Sequence, residues 1–165
     1  LQALVVVDAP QAENALADFY QRFAEDPLVV DKWFALQATR APQAKSHAVL
    51  GHVQALMRHP AFQMNNPNRV RSLIHAFCLS NPGGFHAADG VTYAFWAEQV
   101  IALDEINPQV AARLARGLDR WRQFAPPYQR PMRAALETVA AVSRLSPDVR
   151  EVVSKALAST DPSAS

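Results

Sequence analysis

Three times in this sequence an Asp or Asn stands directly before a proline and ahead of an apolar run at helical spacing: Asp26-Pro27, Asn66-Pro67 and Asn107-Pro108. No other feature narrows the possible folds so far. The side-chain oxygen of such a residue accepts from the free N–H groups of the turn that follows. A proline at the first helical position lacks only an N–H that would have no partner there. Each pair is therefore a helix start. The twelve prolines, set against five glycines, fall almost entirely in gaps between helical patterns. Behind Asn66-Pro67, the residues Val70, Leu73, Ile74 and Phe77 repeat at three and four, which predicts a helix over 67–79 with one buried face. Arg69 and Arg71 lie about 100° to either side of Val70 and flank that face.

Taken in order, 1–7 is apolar without a start signal and reads as the tail of a helix whose beginning is missing. Helices are predicted over 11–25, from Asp26-Pro27 to 40, over 46–59, 67–79 and 91–106, from Asn107-Pro108 to about 122, and over 132–145 and 148–158, the last capped by Ser146 or Asp148. The stretch 81–90 holds Gly83, Gly84 and Gly90 and reads as the longest irregular loop, and 124–131, with three prolines, reads as a turn. Residues 161–165 read as a frayed tail. No segment alternates with period two. The expected fold is all-α, with about eight helices in antiparallel pairs that build an irregular superhelix of the HEAT or armadillo kind, one domain over 1–160. No fixed-period self-similarity supports the repeats; the rhythm of elements alone suggests them.

At 165 residues, half of them hydrophobic, with a mean hydropathy of −0.08, the chain can bury about two-thirds of its unfolded surface. No apolar run approaches the ~18 residues needed to span a bilayer, and 1–7 lacks the basic lead-in and cleavage site of a signal peptide. A net charge of +1 gives no general attraction for nucleic acid. The single cysteine, Cys78, excludes an internal disulfide and beside an apolar stripe reads as a buried thiol; it fits a reducing compartment, so a cytoplasmic location is expected.

Of the five histidines (His47, His52, His59, His75 and His86), none lies four residues from another and none precedes a glutamate. His47 and His52 would point about 140° apart on a helix. No metal site and no catalytic centre are expected, and Gly83-Gly84 lacks the strand–helix context of a phosphate loop. Gln109, Arg113, Arg116 and Arg120 recur at four, three and four opposite Val110, Leu114 and Leu118. That stripe has two readings. It is a solvated face whose arginines suit the C-terminal half-dipole, or a cationic wall that holds a carboxylate by bidentate hydrogen bonds. Trp33, Phe34, Phe95 and Trp96 read as core, Asp31-Lys32 as an exposed polar step, and Trp121 with Arg120 and Arg122 as a basic aromatic patch without the wider field that nucleic acid needs.

The string Asn66-Pro67-Asn68-Arg69-Val70-Arg71-Ser72-Leu73-Ile74, with Asn81-Pro82 and Phe85-His86-Ala87-Ala88-Asp89-Gly90, resembles the C-terminal domain of the M1 family of zinc aminopeptidases, of the bacterial aminopeptidase N type. So do the strings Leu28 to Thr39, Asn107 to Leu114 and Met132 to Glu137. The likeness runs from about residue 11 to 158. It implies the second half of that domain, first helix truncated, in a parent enzyme that removes N-terminal residues from peptides with zinc-activated water. In that family the domain closes over the zinc-bearing domain and leaves an internal chamber for short peptides. Positions matching Arg71, Gln109 and Arg113 face that chamber, which makes Arg71 and Arg113 candidate cationic wall groups and Gln109 a polar contact near the substrate side chain. Arg69 and His86 are weaker candidates, Arg69 as a structural group and His86 as a contact to a neighbouring domain. Zinc and its His-Glu-x-x-His ligands are expected in the parent and not in these residues. The expected partners are the other domains of the parent and short peptides, with no nucleic acid or membrane. The alternative is an independent helical-repeat scaffold that binds a protein or peptide.

Overall fold

Asp26, Asn66 and Asn107 cap helices as their settings require. In the computed structural model, which describes residues 11–42 and 47–158, Asp26 Oδ1 accepts from the N–H groups of Leu28 and Val29 at 3.0 and 3.3 Å. Asn66 Oδ1 does the same for Asn68 and Arg69 at 3.0 and 3.3 Å, and Asn107 Oδ1 for Val110 at 3.2 Å. The helices are α1 (Ala12–Phe23), α2 (Pro27–Ala38), α3 (Ala48–Leu56), α4 (67–80), α5 (Pro82–Phe85), α6 (Val91–Ile106), α7 (Pro108–Ala115), α8 (Pro126–Ala140) and α9 (Pro147–Ala158). Among the described residues all regular structure is helical. The expected missing helix start at 1–7, the start of α3 at Ser46 and the tail at 161–165 lie outside the described residues. The chain divides at Phe85/His86 into two compact units.

In the first unit α2 carries the core. Val30, Trp33, Phe34 and Ala38 are buried, with Val53 of α3 and Val70, Leu73, Ile74 and Phe77 of α4. Trp33 Nε1 donates to Leu16 O at 2.9 Å and ties α1 to α2. Helix α4 is not uniform: Pro67–Val70 is α, Arg71–His75 winds as a π-helix, and Ala76–Ser80 returns to α. At α-helical pitch His75 would sit about 140° from Val70, off the apolar face. The wider π winding advances each residue by only about 80° and swings His75 inward, to 5% exposure. Cys78 is buried, and burial pushes its thiol pKa up, so it is the inert thiol its position suggested.

Three expectations need correction. The 81–90 stretch is not wholly irregular, because it contains the single turn α5. Asn81 organises that turn: its Oδ1 accepts from Gly84 N at 3.1 Å while its Nδ2 donates to Ala38 O and Arg40 O at 3.0 and 2.9 Å. Second, 124–131 is not a turn. Pro126, Pro127 and Pro131 all lie in α8. The first two occupy its opening turn, where no N–H acceptor is needed, and Pro131 forgoes one hydrogen bond further in. Third, the helix predicted to reach 122 ends at Ala115 and continues as 3₁₀ turns over Arg116–Leu118 and Trp121–Gln123; Gly117, a weak helix former, lies at this break.

In the second unit α6 carries the core with Tyr93, Phe95, Trp96, Val100 and Leu103, and Trp96 Nε1 donates to Leu114 O of α7 at 2.9 Å. Ser146, and not Asp148, caps α9: its Oγ accepts from Val149 N at 3.3 Å. The same hydroxyl donates to Asp104 of α6, whose other carboxylate oxygen accepts from Ser146 N at 2.7 Å. Gly90 precedes α6 at φ +80°, and a Cβ there would lie 2.9 Å from Cβ of Pro131. Gly90→Ala therefore meets both left-handed strain, about 1–2 kcal/mol, and a clash with α8. The expected outcome is a melting temperature lowered by roughly 3–8 °C in a thermal denaturation followed by circular dichroism.

Candidate functional site

Arg69 and Arg71 stand two residues apart in α4 and do different work. The Nε of Arg69 donates to Ala61 O at 3.0 Å and its Nη1 to Pro27 O at 3.0 Å. Nη1 also pairs with Asp31 of α2, both side chains being mostly buried, and the guanidinium lies 5.9 Å from the centroid of Phe34. Asp31 is thus no exposed polar step, although Lys32 is exposed. Three segments — the start of α2, the turn at Ala61 and the start of α4 — converge on one guanidinium, which agrees with the structural reading of Arg69. Arg71 is exposed, and its one hydrogen bond goes one turn back, to Asn68 Oδ1 at 3.4 Å. It begins the π segment.

In the second unit Gln109 sits in the first turn of α7 and Arg113 in its last. They are four residues apart, so they share one face, and both are exposed opposite the buried Val110, Ala111 and Leu114. That geometry presents a polar amide and a guanidinium side by side, able to take a carbonyl and a carboxylate. Arg116 and Arg120 are also exposed, but the α-helix ends before them, so the four-residue stripe does not run on as one helical row. Arg116 lies near enough to Glu151 to help hold its carboxyl below the usual range, behind the larger effect of the Lys155 hydrogen bond and charge.

His86 is half-buried against Phe124, with ring centroids 4.5 Å apart, and its Nδ1 lies 2.9 Å from the hydroxyl of Tyr93. Burial first, then Tyr128, pushes Tyr93 up to about 12, against the bond from the Ala87 backbone. Burial lowers the pKa of His86.

The basic aromatic patch expected at 120–122 is a helix terminus instead. Trp121 Nε1 donates to Ala156 O at 3.0 Å, and Arg122 donates to Ala156 O and Leu157 O at 2.6 and 2.8 Å while lying 4.2 Å over the Trp121 ring. These groups satisfy the last carbonyls of α9. Sequence reasoning missed this clamp, the Asp31–Arg69 pair and the Asp104–Ser146 bond. Their one signal was an ionisable residue sited next to an apolar stripe.

Among the described residues, no group of three or more His, Cys, Asp or Glu side chains could hold a metal ion, so a zinc site does not fit this part of the chain. No helix among them is long and apolar enough to cross a membrane. What the two units share is helix-on-helix packing with exposed arginine and glutamine groups. That is the character of a helical-repeat module. The chain belongs to the family described as a domain of unknown function (DUF3458_C) with ARM repeats, whose model matches residues 1–158. It is 44% identical over 158 residues to aminopeptidase N of Escherichia coli (strain K12), covering 96% of this chain and 18% of that protein. Against aminopeptidase N of Haemophilus influenzae it is 48% identical over 142 residues, 86% of this chain and 16% of that protein. The matched region is the C-terminal part of these relatives. The crystal structure of Legionella pneumophila aminopeptidase A in complex with aspartic acid superposes with a TM-score of 0.85 at 34% identity, over 94% of this chain and 18% of that one. The chain thus spans less than a fifth of the length of the proteins it matches.

Replacing Arg69 by Ala strands Asp31 in a mostly buried site, and breaking such a pair costs about 3 kcal/mol. Arg71→Ala removes an exposed group and stays within about 0.5 kcal/mol of the parent. Urea titration of the two variants checks this contrast.

Proposed function

We propose that this chain acts as the C-terminal helical part of an M1 zinc aminopeptidase, with 1–160 working as one domain that encloses the active-site chamber without supplying its chemistry. The observation that carries this reading is the 44% identity with aminopeptidase N along 96% of the chain. In this reading zinc and its ligands belong to other parts of the longer enzyme, the partners of this surface are those parts together with short peptides, and the enzyme works in the cytoplasm. Arg71 and Arg113 face the chamber as cations for peptide carboxylates, and Gln109 offers its amide beside the substrate side chain. Their exposure supports the assignment, since a side chain must reach solvent to meet a substrate, and the 3.4 Å bond of Arg71 to Asn68 lies at the surface. Arg69, consumed by Pro27, Asp31 and Ala61, does not meet that condition, and His86, half-buried against Phe124, stays the weaker candidate for a contact to a neighbouring domain. An independent scaffold is not favoured, because the relatives carry this region inside longer aminopeptidases.

Two measurements test the proposal. The 165-residue chain on its own should neither turn over an alanine chromogenic amide nor retain stoichiometric zinc. In the longer enzyme, Arg113→Ala should raise KM for short peptides roughly tenfold, about 1.4 kcal/mol, with much less effect on the chromogenic amide. Equal effects on both substrates would remove Arg113 from the chamber wall.

A further inference from the structure

The turn between α3 and α4 is held from both sides of one residue. Ala61 N–H donates to His59 Nδ1 at 3.1 Å, and Ala61 O accepts from Arg69 Nε at 3.0 Å. The first bond exists only while Nδ1 is unprotonated, because an imidazolium has two donors and no acceptor. The imidazole ring is packed against Tyr20 of α1, edge-on at 4.9 Å, and against Trp33 and Phe34 of α2 at 5.1 and 5.9 Å. Those rings give an imidazolium partial cation–π relief but no carboxylate.

The ionisable groups around the ring are all otherwise engaged or neutral. On α1 the contact is the phenol of Tyr20. Beyond Phe34, Asp31 of α2 is paired with Arg69 of α4. On α3, His52 Nε2 is bonded to Gln37 Oε1 at 2.9 Å, and the adjacent Arg58 is exposed and donates back to Gln54 O at 3.4 Å.

We infer that His59 is a proton-operated latch on one backbone group: as a neutral imidazole it holds the Ala61 N–H, and on protonation it releases that N–H. A proton on Nδ1 sets a donor against the Ala61 N–H. The Ala61 N–H then loses its partner, while the Ala61 O to Arg69 Nε bond and the Phe62 N–H to His59 O bond, 2.9 Å, stay in place. Burial lowers the pKa of His59, in agreement with a site built for the neutral ring. The sign follows. The unfolded chain takes the proton more readily, so the latch contributes fully above the ordinary histidine pKa of about 6.5. That contribution is lost as pH falls from there through the lower folded-state value. The latch lies wholly within the first unit and does not depend on the peptidase reading.

Amide hydrogen exchange by NMR on the 165-residue chain tests it, with the His59 ring titrated in the same sample. The protection factor of Ala61, its exchange rate relative to an unstructured chain at the same pH, should fall roughly tenfold as the ring takes its proton, the loss of one hydrogen bond. The midpoint should match the ring titration, and Val100 of α6 should stay constant. His59→Phe keeps an aromatic ring without the acceptor; it should show the low Ala61 protection at every pH. Should that variant fail to fold, the wild-type titration decides the matter alone. Constant Ala61 protection while the ring titrates, or a His59→Phe variant with wild-type protection, would overturn the latch.

Discussion

The first unit depends on the partly buried ion pair of Arg69 with Asp31. The guanidinium of Arg69 gathers Pro27 O, Asp31 and Ala61 O, and Phe34 lies within cation–π range. A charge removed from water is tolerable only when nearly all its donors are met and a counter-charge sits beside it. Those conditions fix the distance between the start of α2, the turn after α3 and the start of α4. Once these are set, Trp33 and Phe34 face Leu73, Ile74 and Phe77 across a common core, and α1 is drawn in by the Trp33–Leu16 bond. The π segment belongs to the same arrangement. It lets α4 satisfy the Asn66 cap at one end and bury His75 and Phe77 further along, which uninterrupted α pitch would not do for both.

The second unit solves the equivalent problem at helix ends. Asp104 holds the N-terminus of α9 through Ser146, and Trp121 with Arg122 holds its C-terminal carbonyls. A 12-residue helix such as α9 is marginal alone, so anchoring both termini matters as much as its buried Val149 and Val153. The break in α7 after Ala115 carries Trp121 to that terminus. In both units, then, polar groups beside the apolar stripes decide how the helices meet, while Arg71, Gln109 and Arg113 stand exposed.

Several features could be read from the residues in order. The Asp-Pro and Asn-Pro starts, the all-helical class, the burial of Trp33, Phe34, Phe95 and Trp96, and the inert Cys78 all rest on local chemistry or on helical period. The errors have one origin. Pro126-Pro127 looks like a break but is an acceptable first turn, Gly84 looks like loop but seats against Asn81, and Arg122 looks like surface but closes α9. Asn81 is placed by Ala38 and Arg40, and Arg122 by Ala156 and Leu157, partners distant in sequence that no local pattern encodes; the two prolines were a local signal with two readings.

The sequence by itself determined where helices begin and which faces they bury, because capping and amphipathic period act within a few residues. It also carried the likeness that points to an enclosing domain of a larger peptidase. Only the tertiary structure decided which ionisable side chains are spent inside the fold and which stay exposed. Arg69 and Arg71 are alike in type and nearly adjacent, and what separates them is that Asp31, 38 residues away, comes within reach of one and not of the other.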